Sequence, residues 1–312
     1  MKISVIITTR NRSNELRWTL NRLFALEPPP DEILICADGC TDGTAEMVQE
    51  QFPSCVLLEN DSSRGSVFSR DRLLRATTGE IVASLDDDSF PQDRDFIARL
   101  KDLFMKHPDA AVISFPEIRN QGECADPSKS PLSPPHLVSA YAHCAAALRR
   151  HVYWQSHGFP EFFGHMYEEP DYALQCYALG YVVRFEPSLT IRHHEAQVHR
   201  DPIRRHHLNA RNELWSVFIR CPFPYVFPVA LFRMWRQFRY AYSEGLSWIV
   251  REPLWWWSSL RGVANCLRNR SPVPWRIYYG WMKLARHTIT NWPKACNNLS
   301  GAKTHEVQPG QN

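Results

Sequence analysis

Thr78-Gly79-Glu80-Ile81-Val82-Ala83-Ser84-Leu85-Asp86-Asp87-Asp88 is the stretch on which the architecture turns. A glycine turn leads into five uncharged residues, and the run ends on three consecutive carboxylates. A short apolar run bounded by a turn reads as a buried strand. Three adjacent acids repel one another, so a strand ending on them ends at solvent or at a cation. The same arrangement recurs upstream. Residues 3–8 form a β-branched run followed by Thr9 and Arg10, and residues 32–37 form a second followed by Asp38, Gly39, Thr41 and Asp42. Residues 56–59 and 110–115 read as further strands. Between them, residues 14–26, 44–52, 67–76 and 96–107 carry helical spacing, for example Leu16, Leu20, Leu23 and Phe24. Strand and helix alternate, which predicts an α/β fold with an open, mostly parallel sheet flanked by helices. Ligands of such sheets bind beyond the carboxyl ends of the strands, where these polar residues fall.

Composition narrows the function classes. The 312 residues are 44% apolar and 22% charged, sufficient for a core and incompatible with wholesale disorder. The 23 prolines and 13 glycines follow no period, which excludes collagen-like and solenoid readings. Nine cysteines without a CxxC pair argue against structural zinc and against a disulfide framework. No GxxxxGK[ST] and no GxGxxG after a strand is present, so ATPase and dehydrogenase readings lose support. The start lacks a signal-peptide pattern and no apolar run approaches the length of a membrane span, so the expected compartment is the cytoplasm.

Oxygen ligands such as Asp86 and Asp88 suit Mg²⁺ or Mn²⁺, above all when phosphate oxygens complete the shell. A solvated loop capping the next helix fits the triplet equally well. The wider context resembles family 2 glycosyltransferases of the GT-A fold, of the inverting, rhamnosyltransferase-like kind. The resemblance rests on residues 4–11, on Ala37-Asp38-Gly39-Cys40-Thr41-Asp42-Gly43-Thr44, on residues 78–88, and on Gly158-Phe159-Pro160-Glu161 followed by Glu168-Glu169-Pro170-Asp171. These four blocks stand in the family's order and spacing over about residues 3–215.

The resemblance implies a nucleotide-sugar donor and a divalent cation, Mg²⁺ or Mn²⁺. Asp38 then accepts from the base imide, which favours uracil or thymine, and Thr8 and Arg10 line the nucleoside pocket. Arg70 lies near the nucleotide. Asp86-x-Asp88 is the DxD motif, with Asp86 toward ribose and metal, Asp88 on the metal, and Asp87 beside the nucleotide. Glu169 falls at the position of the catalytic base, where many members have Asp, and Glu168 is the alternative. The pair also suits helix capping, since carboxylates are favoured at a helix N-terminus. His193, six residues after Pro187, matches a metal-ligating histidine, with His194 as fallback.

The back of the chain differs from the front. Residues 200–312 hold 17 Lys+Arg against five Asp+Glu, a balance of +12, and nine of the 11 tryptophans. Residues 1–199 balance at −9. Three regions are therefore expected: a GT-A domain over 1–215 (nucleotide-sugar half 1–115, acceptor half 116–215), a basic, Trp-rich helical region over 216–300, and a disordered tail over 301–312. Arg233, Arg236 and Arg239 alternate with Phe232, Trp235, Phe238 and Tyr240, a pattern suited to an anionic membrane surface. A buried helical core or an oligomer interface is the competing reading, and a nucleic-acid partner is not expected. The Gln-x-x-Arg-Trp motif of processive synthases is missing, which favours transfer of a single sugar. The expected acceptor is a glycan or lipid-linked acceptor in cell-surface polysaccharide or lipopolysaccharide synthesis, with the enzyme peripheral on the inner face of the plasma membrane. A polyprenyl-phosphate sugar transferase and a non-catalytic scaffold of the same fold are the alternatives.

Overall fold

Uncharged runs at the front of the chain fold as strands buried on both faces, and they set the middle of the molecule. The structure is a computed structural model that describes residues 1–119, 122, 124–126, 129–194 and 201–290. Strand β1 (Ile3–Thr9) lies between β2 (Glu32–Asp38) and β4 (Ile81–Asp86), with β3 (Val56–Asn60) outside β2, all parallel. Such strands show continuous apolar runs rather than alternation because helices cover both faces. Helices α1 (Ser13–Phe24), α2 (Thr44–Gln51), α3 (Ser66–Ala76) and α4 (Phe96–Lys106) supply that cover. Amphipathic α1 buries Leu16, Leu20 and Leu23, and α4 buries Phe96, Ile97, Leu100 and Phe104.

Beyond β4 the sheet becomes mixed. Its full order is β3-β2-β1-β4-β9-β6-β10-β8, where β6 is Ala110–Ser114, β8 His136–Leu137, β9 Ala146–Arg149 and β10 Val182–Phe185. Strand β9 is antiparallel to both β4 and β6 and leads into α5 (Arg150–Gln155). A second sheet, β5-β11-β7, is built from Ser89–Pro91, Ile191–His193 and Glu117–Ile118. These strands of two or three residues are too short to show a period, and the sequence gives no sign of them.

The expected boundary at residue 215 falls inside one helix, α7 (Pro202–Arg220), and is corrected here. Asp201 caps α7 by accepting from the amides of Ile203 and Arg204, with Pro202 in the first turn. The helices that follow, α8 (Val226–Glu244), α9 (Leu246–Ile249), α10 (Glu252–Arg261), α11 (Val263–Arg268) and α12 (Trp275–Leu284), pack onto the rest rather than forming a separate unit. Arg220 pairs with buried Asp171 at 3.0 Å, and the Trp281 indole donates to the Ser139 carbonyl at 2.8 Å. The expected tail over 301–312 lies outside the described residues.

Candidate active site

Parallel pairing in register puts the ends of β2, β1 and β4 on one edge. Thr8 stands beside Asp86 on one side and Cys36 on the other, and Asp38 pairs with Asn60. A cavity of about 1120 Å³ opens over this edge, lined by Thr8, Arg10, Asp38, Arg70, all three aspartates, Glu168, Glu169 and His193. Every residue expected at the site from the sequence, the fallback His194 excepted, therefore borders one cavity.

Asp38 is buried and saturated. Oδ1 accepts from Asn60 Nδ2 at 2.7 Å and the Arg64 amide at 2.8 Å, and Oδ2 from Ser63 Oγ at 2.8 Å and the Gly65 amide at 3.0 Å. Burial pushes its pKa up, but the four donors outweigh it and hold it below the usual range. Gly39 makes this possible: at φ +66° a Cβ would lie 2.5 Å from the Ser63 amide nitrogen. Asp38 thus fastens the segment between β3 and α3 across the cavity floor.

The three aspartates separate into distinct roles. Asp87 turns to Thr9 Oγ1 (2.9 Å) and Arg12 (2.8 Å), with its own carbonyl held by Thr19. Burial, with Asp88 and Asp86 nearby, raises its pKa to about 7 despite Arg12. Asp86 accepts from Arg70 at 2.6 Å and keeps about a third of its side chain exposed. Asp88 Oδ2 takes Arg12 at 2.6 Å, while buried Oδ1 has no hydrogen-bond partner among the described residues. Burial pushes Asp88 up, yet His193 and Arg12 together hold it low.

His193 reaches this cluster through the second sheet, where it pairs with Ser89. Its Nε2 lies 3.0 Å from Asp88 Oδ1, within ion-pair distance. Nδ1 donates to Glu117 Oε1 at 2.7 Å. Burial disfavours charge on the ring, but Asp88, Cys144 and Glu117 raise its pKa to about 12. A carboxylate behind the imidazole, with the other nitrogen aimed inward, is how metal-binding histidines are held. One ligand atom from each of Asp86, Asp88 and His193 lies within 4.8 Å of the others. Two hard carboxylates, one with a buried oxygen that accepts no hydrogen bond, and an imidazole fit a divalent cation, which would replace the charge that protonated His193 otherwise supplies. His194, the expected fallback, packs its ring on Trp18 instead, centroids 4.5 Å apart. His206 is bound to buried Glu252 at 2.8 Å, and His199 lies outside the described residues.

Arg70 links the aspartates to the second acidic pair. It is buried, and besides Asp86 it donates to Glu168 Oε1 at 3.3 Å. Glu168 and Glu169 open α6 (Glu168–Ala178), after Met166 and Tyr167 in left-handed conformations, φ +75° and +71°. Buried Asn212 of α7 holds that segment, donating from Nδ2 to the carbonyls of His165 and Met166, each at 2.8 Å, and of Phe163 at 3.2 Å. Glu168 is buried and tied to Arg70, whereas Glu169 keeps part of its surface at the cavity. Burial first, and then the neighbouring Glu168, raises Glu169 to about 8. Buried His143, whose ligand nitrogen approaches both glutamates, is pushed well below its ordinary value by burial and by Arg70. Arg12, Glu117, His143 and Asn212 were not identified from the sequence. Arg12 had a signal, lying two residues beyond Arg10 on the same strand end, but the other three depend on contacts distant in the chain.

The "Glycosyl transferase family 2" sequence model matches residues 4–154. The chain is 32% identical over 118 residues to a glucosyl-dolichyl phosphate glucuronosyltransferase of Haloferax volcanii, covering 36% of this chain and 37% of that protein. It is 30% identical over 122 residues to a poly-beta-1,6-N-acetyl-D-glucosamine synthase of Staphylococcus epidermidis, covering 38% and 29%. The matched stretch thus spans about a third of the length of these curated relatives. Among solved structures, S. aureus TarS 1–349 in complex with UDP-GlcNAc superposes with a TM-score of 0.61 at 16% identity, over 89% of this chain and 83% of that one. The mannosyltransferase PcManGT of Pyrobaculum calidifontis, in complex with GDP-Man and Mn²⁺, gives 0.56 at 19%, over 86% and 76%. Residues 4–154 thus match glycosyl transferase family 2, and most of the chain shares its fold with these solved structures.

Proposed function

We propose that the protein transfers a single sugar from a nucleotide-sugar donor to an acceptor hydroxyl with inversion at the anomeric carbon. The observation that carries this reading is one cavity bordered by two acidic groups of different design. Asp86, Asp88 and His193 are arranged to hold a cation, and Glu169 stands across Arg70 with a raised proton affinity. A cation held there would neutralise charge on the departing diphosphate. Glu169 takes the acceptor hydroxyl's proton as the oxygen bonds to the anomeric carbon and the bond from that carbon to the diphosphate oxygen breaks. Glu168, fixed by Arg70, keeps a like charge beside Glu169 and strengthens it as a base. UDP- and dTDP-linked donors are favoured. Asp38 contributes to base recognition through the segment it fastens, and a direct contact with the base would be a fifth hydrogen bond to a carboxylate already accepting four.

A lipid-linked acceptor at an anionic membrane surface belongs to the same proposal. Among the described residues no helix is long and apolar enough to cross a membrane. Large apolar side chains are nevertheless exposed along α8–α10, including Leu231, Trp235, Leu246, Leu254 and Trp257. Arg239 stacks on Trp235 at 4.9 Å and Arg261 on Trp257 at 5.6 Å. Glu213 and Glu252 are buried and paired, which leaves Asp201 and Glu244 as the exposed acids of residues 201–290. Relatives named for dolichyl-phosphate and polysaccharide substrates are consistent with cell-surface glycan synthesis.

The deciding experiment incubates the protein with a panel of nucleotide sugars and Mg²⁺ or Mn²⁺, with and without excess EDTA, and measures release of the nucleoside diphosphate. Release from at least one donor, abolished by EDTA, is expected. No release and no thermal stabilisation by any donor would exclude the reading.

A further inference from the structure

A second cavity adjoins the first, with a volume of about 710 Å³. The two share Met166, Arg205 and Asn209 as walls, so what fills the second lies next to the segment that presents Glu169. Pro202, His206, Arg236, Gln237, Tyr240 and Trp248 complete it, and no carboxylate is among its described lining residues. Beneath it, Glu213 accepts from Arg233 at 3.0 Å, from Gln237 at 2.5 Å and from Arg236. Two guanidinium groups share that one carboxylate, and a second buried acid, Glu252, sits behind His206. Tyr240 and Trp248 pack on each other and on His206, ring centroids 5.3 to 5.7 Å apart, and the chain around them exposes Tyr242, Leu246 and Val250.

A wall with two guanidinium groups on one side and aromatic rings on the other suits a ligand that is anionic at one end and apolar at the other. Arginine forks match phosphate oxygens two at a time. A volume in the ordinary range for ligand sites accommodates such a head and the start of its tail. We propose that this second cavity seats the phosphate or pyrophosphate of the lipid-linked acceptor, with Arg205 and Arg236 as its anion ligands and Tyr240 and Trp248 as the wall along which the lipid leaves. The identity of the acceptor rests on the transferase reading above. The sugar beyond the phosphate then enters the cavity that holds the base.

The test measures sedimentation of the full chain with phosphatidylcholine vesicles that carry polyprenyl phosphate, against vesicles carrying phosphatidylglycerol at equal surface charge. Wild type should prefer the polyprenyl phosphate. Arg236→Gln should weaken that binding about 10–100-fold, as expected for loss of a charge-assisted contact. Arg236→Lys, which keeps the charge without the fork, should recover part of it. Arg236 is half exposed and Glu213 keeps Arg233, so the fold should survive, which its melting temperature checks. Trp248→Ala tests the apolar wall independently and should reduce the preference without changing binding to phosphatidylglycerol. Equal binding of wild type to both vesicles would assign the contact to ordinary lipid headgroups and overturn the proposal, as would undiminished preference in both variants. Donor, metal and turnover do not enter this measurement, so its outcome and that of the transferase reading are separable.

Discussion

Glu169 illustrates how burial and one like charge convert an ordinary carboxylate into a base matched to neutral pH. Raised to about 8, it is largely protonated below that value, so turnover should rise with pH up to about 8 and then level. Replacing Glu168 with Gln removes the neighbouring charge, and the rising limb should move to lower pH. Glu169→Gln should cost roughly 10²–10⁴-fold in turnover with little change in donor affinity. If Glu168→Gln is instead the inactive variant, the assignment within the pair is reversed. The same shift has a stability consequence. A carboxyl whose folded value lies above its unfolded one binds more protons when folded, so its contribution falls as pH rises from about 4.5 to about 8. Glu169→Gln should therefore melt higher than wild type at pH 8 and close to it at pH 4, as scanning calorimetry would show. At the other pole of the cavity, Asp88→Ala removes a carboxylate of the candidate cation site, and turnover should be largely abolished. Full activity of the intact protein in excess EDTA would end the cation-dependent reading.

Two elements far apart in the chain have to meet for the base to be presented. Helix α6 begins after two residues at positive φ, a conformation that is costly for side chains other than glycine. Asn212 of α7 offsets that cost by donating to the carbonyls of the same segment. Asn212→Ala should destabilise the protein by about 1–3 kcal/mol, because it takes the donor from the part-buried carbonyls of His165 and Met166. It should also lower kcat far more than it raises the KM for donor, since the nucleotide side of the cavity does not contact it. A variant with normal kcat and only a lower melting temperature would reduce Asn212 to a packing residue. The second sheet has a parallel role, since β11 carries His193 to Asp88 while β7 carries Glu117 behind the ring.

The molecule as a whole does not divide where its composition changes. Asp171, near the start of the base helix, accepts from Gln175, Ser216 and Arg220, the last two on α7. A chain ended at residue 215 loses Ser216 and Arg220 together and strands Asp171 as a buried, unpaired charge. Removing one partner of such a pair costs about 3–5 kcal/mol. Expression of residues 1–215 should accordingly yield aggregated protein, whereas residues 1–290 should fold. A stable, monomeric 1–215 with a cooperative melt would restore the division at that boundary. The aromatic back end is split between burial and exposure: Trp255 and Trp281 are core, while Trp235 and Trp257 are exposed. Of the three arginines that the sequence singled out there, Arg233 and Arg236 pair with Glu213, and Arg239 stacks on exposed Trp235. Replacing Arg239 and Arg261 with Ser should weaken sedimentation with anionic vesicles at low salt, where each surface cation contributes on the order of 1 kcal/mol. Indifference of the wild type to such vesicles would point to a protein partner for this face.

The sequence by itself determined the parallel half of the sheet and the strand-end residues. Those features follow from local periodicity and from the rule that ligands gather where parallel strands end, so Thr8, Asp38, Asp86 and Asp88 could be placed without coordinates. The family's spacing was enough to add Arg70, Glu169 and His193. Only the tertiary structure decided what each of these groups is bound to, and with it the chemistry. Asp87 turned inward to Thr9 and Arg12, Asp38 was consumed by a loop, and Glu168 was tied to Arg70 while Glu169 was left at the cavity. The antiparallel β9, the three-stranded second sheet and the hold of Asn212 on the base segment were illegible for one physical reason. Their energies come from pairings between residues far apart in the chain, and strands of two to four residues leave no periodic trace of the partners they will find.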